Sequence, residues 1–281
     1  MDFQTSVIET IKSRKSRRNY VNTPLQPDVI EQIKHLLEQH NKGLFGNKVE
    51  FYFLEKDLIA GQKKLKLGTY GFISGAKYFI VGETELKPKV FEDFGYLMEK
   101  IILHLTEMNL GTCWLGGTFS RKMFALAADT NKDRIIPAVT PVGYISETKT
   151  IRERLIRFGA GADNRKPWSE LFFDGDLVTP LTPERADLYN IPLEMIRIAP
   201  SASNRQPWRI LRTQNGFDFL LKRTSGYSNF VKGIDLQKID IGIAIAHFDL
   251  ARRELNLNGQ WHTENTQTQP HMEYIASYRI L

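Results

Sequence analysis

The sequence predicts an α+β chain made of two pseudo-symmetric halves, each a mainly antiparallel sheet covered by helices, and three observations predict it. The first is ordered repetition. Thr23-Pro24-Leu25-Gln26-Pro27 returns as Thr179-Pro180-Leu181-Thr182-Pro183, and residues 93–114 align without a gap on 240–261. Within the longer block Asp93/Asp240, Gly95/Gly242, Leu103/Leu250, Glu107/Glu254, Asn109/Asn256, Leu110/Leu257 and Trp114/Trp261 are identical. The short block alone could be an ordinary helix start, a proline after a threonine cap. Two blocks in the same order argue for duplication, or at least for two copies of one supersecondary unit. The second observation is a helical period: Phe94, Leu97, Met98, Ile101, Leu105 and Met108 recur at spacings of three and four. The third is a set of short aromatic and β-branched runs bounded by glycine, as at 49–54 and 77–82.

In chain order, helices are expected over 4–14, 27–41 (opened by Pro27), 56–66, 91–110 (the amphipathic stretch), 119–129, 183–199 (opened by Pro183) and 236–257 (the repeat of 91–110). Strands are expected over 49–54, 77–82, 138–145, 207–213, 217–223 and 273–280. Each half therefore reads helix, helix, strand, strand, long helix, strand. Gly159, Gly161, Gly175 and Pro180, set among charges, mark 146–182 as the connector. Dividing at the repeated Thr179 gives a first half of 1–178, connector 146–178 included, and a second half of 179–281, packed as one unit.

Composition narrows the function. With 281 residues, 42% hydrophobic and 25% charged, the chain has the balance of a soluble globular protein. The apolar runs are too short to span a bilayer, and no basic n-region precedes an apolar stretch at the N-terminus, so a cytoplasmic protein is expected. The single cysteine, Cys113, excludes an internal disulfide. No pair of the six histidines stands at metal-ligand spacing with a third ligand nearby. A Gly-x-Ser-x-Gly elbow and a phosphate loop ending in Gly-Lys-Ser/Thr are both missing. A net charge of +6 favours anionic partners, which a phosphate-bearing cofactor satisfies as well as a nucleic acid does.

Four segments carry chemistry. Pro200-Ser201-Ala202-Ser203-Asn204-Arg205-Gln206-Pro207-Trp208 offers small residues for close backbone approach and donors and acceptors for a heteroaromatic edge. Ser13-Arg14-Lys15-Ser16-Arg17-Arg18-Asn19-Tyr20 supplies guanidinium forks and a hydroxyl, the donors a phosphate needs. A basic helix end or a nucleic-acid patch is the alternative for that segment taken alone. In Gly111-Thr112-Cys113-Trp114-Leu115-Gly116-Gly117-Thr118, Gly111 has an ordinary explanation as a helix C-cap, which does not cover Gly116-Gly117. The fourth is Asn164-Arg165-Lys166-Pro167-Trp168-Ser169-Glu170. Trp114, Trp208 and Trp261 read as core residues, as does the strand holding Pro141-Val142-Gly143-Tyr144.

Together these segments resemble the FMN-dependent nitroreductase family: its Pro-Ser-x-x-Asn-x-Gln-Pro-Trp segment, its opening Arg-Arg-Ser-x-Arg-x-Phe motif with Tyr20 as the aromatic, its glycine segment after the long helix, and its Arg-Lys-Pro-Leu-x-Glu segment with Trp168 for Leu. The resemblance spans most of the chain. It implies a nitroreductase-like fold in which one chain stands for the family's intertwined dimer. It implies FMN held at its phosphate by Arg14, Lys15, Ser16, Arg165 and Lys166, with Arg18 at the pyrimidine side. Ser201, Ala202 and Asn204 would lie against the ring, and the N–H groups of Gly116 and Gly117 near N5. The expected chemistry is ping-pong: hydride from NADH or NADPH to flavin N5, then reduction of a small acceptor such as a nitroaromatic or quinone. The first-half counterpart of the serine loop, Phe45-Gly46-Asn47-Lys48-Val49-Glu50-Phe51, lacks its serines and Gln-Pro. One FMN per monomeric chain is therefore expected, with no nucleic-acid or membrane partner, no metal and no assigned catalytic side chain. The alternatives are an FMN-binding sensor or carrier without turnover and, with little support, a nucleic-acid-binding protein using residues 14–18.

Overall fold

The first half contributes helices α1 (Val7–Ser13), α2 (Pro27–Gln39), α3 (Val90–Glu107) and α4 (Arg121–Ala127) and strands β1 (Glu50–Glu55), β2 (Asp57–Ala60), β3 (Lys63–Lys66), β4 (Tyr78–Glu85), β5 (Leu110–Thr112), β6 (Arg134–Ile135) and β7 (Val139–Tyr144). Beyond the connector come β8 (Phe172–Asp174), α5 (Asn190–Ile198), β9 (Trp208–Thr213), β10 (Gly216–Leu221), α6 (Leu236–Glu254), β11 (Gly259–His262) and β12 (Glu273–Ile280). This computed structural model describes residues 3–60, 63–146, 164–226, 231–264 and 271–281. Gly159 and Gly161 of the expected connector lie outside them.

The strands form two five-stranded sheets and a separate pair, β2 with β3. The first runs β1-β4-β7-β5 with β6 on β4, all antiparallel. The second runs β11-β12-β10-β9-β8, antiparallel except for the parallel pair β8·β9. Helix α3 packs on the first sheet, α6 on the second, and the two helices pack on each other. Both are buried nearly all round, as a central layer requires. The architecture is thus the predicted α+β arrangement of pseudo-symmetric halves.

The repeated residues show how the halves are related. A Cβ on Gly95 would strike the carbonyl oxygen of Ile239, and a Cβ on Gly242 would strike that of Glu92. The two glycines let the helices cross backbone to backbone, each doing for the other what is done for it. Asn109 and Asn256, just past the two helices, share left-handed φ values of 58° and 56°. Asn109 therefore makes the left-handed turn expected of Gly111. Glu107 and Glu254 both bind the start of α1. Glu107 Oε1 accepts from the N–H groups of Gln4 and Thr5, both at 2.7 Å. Glu254 accepts from Val7 N–H at 2.6 Å and Ile8 N–H at 3.1 Å. Glu254 thus satisfies two orphan donors at the positive end of α1, Ser6 Oγ takes a third from Glu9 N–H, and Glu107 holds the residues just before the cap. Val7, Ile8 and Ile11 of that helix bury themselves with Leu103 and Leu250, another repeated pair.

Two expected helices are corrected. Residues 56–66 do not form a helix: β2 and β3 pair as a hairpin in a register that sets Asp57 opposite Lys66. Gly61 at the middle of the stretch weakens a helix there. The expected helix 183–199 is broken. A short turn at Pro183–Ala186 and a 3-10 turn at Asp187–Tyr189 precede α5. Asp187 takes a φ of 53°, and Pro192 falls in the first turn of α5, where its missing N–H costs nothing. The short strands β5, β6, β8 and β11 have no periodic signal of their own. Strand β8 belongs to the segment expected to be connector, yet it closes the edge of the second sheet.

His40 and His104, stacked edge to face at 5.2 Å, are both buried. Burial lowers His40 from 6.5 to about 4 and His104 to about 3, the latter helped by the charge of His40. The unfolded chain therefore binds more protons than the folded one below about pH 6.5. Stability is complete above that pH and falls as the pH drops toward 4 and 3. Denaturation midpoints measured from pH 7 to pH 4 should fall, and His104→Gln should flatten the slope.

Candidate functional site

Helix α1 ends at Arg14, whose N–H donates to Thr10 O at 3.0 Å. The chain then runs extended beside β5. Arg17 N–H donates to Thr112 O at 2.7 Å, and Ser74 N–H donates to Arg18 O at 2.9 Å. Gly111 matters for this contact: a Cβ there would sit 3.1 Å from both Arg17 Cβ and Tyr20 Cε1. Beyond β5 the glycine segment is held by Arg121, which donates to the carbonyls of Gly116, Ile136 and Pro137. From the second half, the loop after α5 turns sharply, with positive φ at Ser203 (49°), Asn204 (53°) and Gln206 (50°).

These pieces enclose one cleft of about 700 Å³. The sequence-predicted cofactor residues Arg14, Lys15, Ser16, Arg18, Gly116, Gly117, Arg165, Ser201, Ala202 and Asn204 all line it. Lys166 does not: its ammonium pairs with Glu170 at 2.8 Å. Arg165 reaches the cleft across the serine loop, donating to Asn204 Oδ1 at 3.2 Å and Ile198 O at 3.1 Å. The 164–170 segment therefore clamps the loop as well as the cleft.

Arg14 is almost buried and sits 3.6 Å from Glu99 Oε1 of α3. Glu99 also accepts from Trp114 Nε1 at 2.6 Å and faces His247 Nε2 of α6 at 2.9 Å. The other ring nitrogen of His247 faces Met195 O at 2.9 Å. Both imidazole nitrogens thus meet oxygen, one from each half of the chain. This cluster joins the two halves directly behind Arg14. Arg18 differs: its Nη1 is buried with no hydrogen-bond partner among the described residues.

Sequence reasoning missed several wall residues. Trp114, read as core, faces the cleft, as do the apolar side chains of Ile11, Met195, Ile198, Leu236, Ile239 and Ile243. It also missed Asp240, although its identity with Asp93 in the repeat was a usable signal. Of the acidic lining residues, Glu194 is neutralised by Arg197 at 2.6 Å, and Asp240 is buried. Arg14, Lys15, Arg18 and Arg165 leave the cleft cationic. A cationic rim, an apolar floor and a small-residue loop suit a flat, anionic, heteroaromatic ligand. No group of three or more possible metal-ligating side chains occurs among the described residues, and no helix among them is long and apolar enough to cross a membrane.

The protein family described as "Putative TM nitroreductase" matches residues 6–252. A solved structure from Thermotoga maritima, titled a "putative nitroreductase", superposes with a TM-score of 0.61 at 19% identity, covering 100% of this chain and 96% of that one. An FMN-dependent nitroreductase of Clostridium difficile aligns at 18% identity and a TM-score of 0.39, over 51% of this chain and 90% of its own. A nitroreductase with bound FMN from Desulfitobacterium hafniense aligns at 16% identity and a TM-score of 0.40, over 52% and 92%. None of the curated proteins matches the chain.

Proposed function

The chain belongs to the TM nitroreductase family, and we propose that it is an FMN-dependent oxidoreductase that takes hydride from NADH or NADPH and reduces a small acceptor such as a nitroaromatic or a quinone. Bound FMN would supply a ring that accepts hydride at N5 and gives the electrons up to the acceptor. The residues of the cleft fit that group. Arg14, Lys15, Ser16 and Arg165 present the donors a phosphate needs. Lys166 leaves the phosphate set, because its ammonium is turned to Glu170. Arg18 would face the pyrimidine edge, where a fixed cation favours the negative charge of the reduced ring. Ser201, Ala202 and Asn204 would lie against the ring, and the N–H groups of Gly116 and Gly117 would face N5. The Gly116 carbonyl is engaged by Arg121, and a trans peptide turns the next N–H the opposite way. The apolar floor of Ile11, Met195, Leu236, Ile239 and Ile243 would exclude water from the bound ring.

The observation that carries this reading is the buried Nη1 of Arg18, without a hydrogen-bond partner among the described residues, in a cleft built from both halves. A buried guanidinium nitrogen without a partner costs several kcal/mol by order of magnitude, which a bound acceptor offsets. Because residues 1–178 and 179–281 both contribute to the cleft, a single chain completes it and a monomer suffices.

Purified protein should be yellow, with FMN released on denaturation in a ratio near one per chain, and anaerobic NADH or NADPH should bleach it. A yellow protein that neither nicotinamide bleaches would be a flavin carrier or sensor. A colourless protein that FMN does not stabilise would end the flavin reading.

A further inference from the structure

Asp93 and Asp240 occupy equivalent places in the repeat, and each carboxylate binds the loop of its own half. Asp93 is fully employed. Its Oδ1 accepts from Phe45 N–H at 2.8 Å, and its Oδ2 accepts from Asn47 N–H and from Asn47 Nδ2, both at 2.9 Å. In the second half the first of these contacts survives: Ala202 N–H donates to Asp240 Oδ1 at 2.8 Å. The second does not. The N–H of Asn204, which corresponds to that of Asn47, turns instead to Ser201 O at 3.0 Å. Asp240 Oδ2 is left without a hydrogen-bond partner among the described residues, although the residue is only 2% exposed and lines the cleft.

We propose that Asp240 is a neutral carboxylic acid that donates its O–H into the cleft, to an electron-rich oxygen of the molecule bound there. An ionised oxygen in that position would need donors, and the loop has withdrawn both that its counterpart enjoys: Asn204 N–H turns to Ser201 O and Asn204 Nδ2 to Asn164 O. A protonated carboxyl has the opposite need, an acceptor. Burial drives the Asp240 carboxyl well above the ordinary carboxylate range, and the negative charge of Asp235 pushes the same way. The same loss that makes room for the serine loop thus turns a structural cap into a ligand-facing donor. The identity of the acceptor rests on the proposed flavin chemistry, being a carbonyl of the ring or an oxygen of the second reactant; the protonation of Asp240 does not.

Infrared difference spectra of apoprotein at neutral pH should show a protonated carboxyl C=O band that shifts in D2O and is missing in Asp240→Asn. That variant also tests the direction of the hydrogen bond. Ala202 N–H fixes the amide oxygen, so the NH2 must point where Oδ2 pointed, an obligate donor. Asp240→Asn should therefore hold ligand within about threefold of the parent, whereas Asp240→Leu should lose about tenfold, the worth of one hydrogen bond of that strength. If the acceptor is the flavin, this contrast appears in FMN affinity for apoprotein. If it is the second reactant, the contrast appears in the affinity of 4-nitrobenzoate for oxidised holoprotein with no electron donor present. Absence of the band, Asn losing as much as Leu, or Leu losing nothing for either ligand overturns the proposal. Should the Leu protein not fold, the band and the Asn protein decide. A protein that takes up no FMN fails the flavin reading and leaves the band to decide on Asp240.

Discussion

Gly242→Val is expected to destabilise the protein by about 3 kcal/mol or more, and Gly95→Val by a similar amount. At each position the first atom a Cβ would meet is a backbone carbonyl oxygen of the opposite helix, Glu92 O or Ile239 O, and not the tip of a flexible side chain. The only relief is to separate α3 from α6, and that crossing sets the distance between the halves. The loss is a large part of the 5–15 kcal/mol that a typical domain has. Because the cleft takes Arg14 and Gly116 from one half and Ser201 and Asn204 from the other, FMN content should fall together with stability. Chemical denaturation and flavin content measured on the same preparations check this. Gly68→Ala is the control, since a Cβ there meets nothing within 4 Å and should change stability by less than about 0.5 kcal/mol.

Arg14→Met should cost about 3–5 kcal/mol of stability and most of the FMN affinity. The stability loss arises because Glu99, fully buried, loses its guanidinium partner when Arg14 is replaced. The affinity loss arises from the missing phosphate donor. The two are separable. Adding Glu99→Gln should restore much of the stability of Arg14→Met and none of its affinity, a coupling that a double-mutant cycle reads directly. Arg18→Met should behave the other way: FMN affinity falls while apoprotein stability holds or rises, because Nη1 has no hydrogen-bond partner to lose. Equal stability losses for the two arginine variants would contradict the assignment of Arg14 to the buried cluster and Arg18 to the ligand.

Much of the site was legible because its chemistry is local. The segments 14–18, 116–117 and 200–204 announce themselves by residue type within a few positions, and each lines the cleft. What was not legible depends on contacts that residue type alone does not give. Lys166 looks like a phosphate ligand until the turn of helix at Trp168–Leu171 places Glu170 beside it. Asp240 looks like a repeat of Asp93 until the loop it binds changes its hydrogen bonds. Glu107 and Glu254 look like a surface pair until α1 is laid across both. The pairing of β2 with β3 and the break before α5 were missed for a different reason: a single position such as Asp187, with its φ of 53°, decides between two locally acceptable conformations, and periodicity averages over it.

By itself the sequence determined that the chain is two related halves, where the two long helices run, and which polar segments carry the chemistry. Repetition, helical period and side-chain type are all properties of neighbouring residues. Only the tertiary structure decided that these segments meet in one cleft, that Arg14 is paired with the buried Glu99 while Arg18 is not, and that Asp240 lines the cleft with an oxygen to spare. Those outcomes follow from how closely two glycine-bearing helices can cross, and that distance is set by atoms some 150 residues apart in the chain.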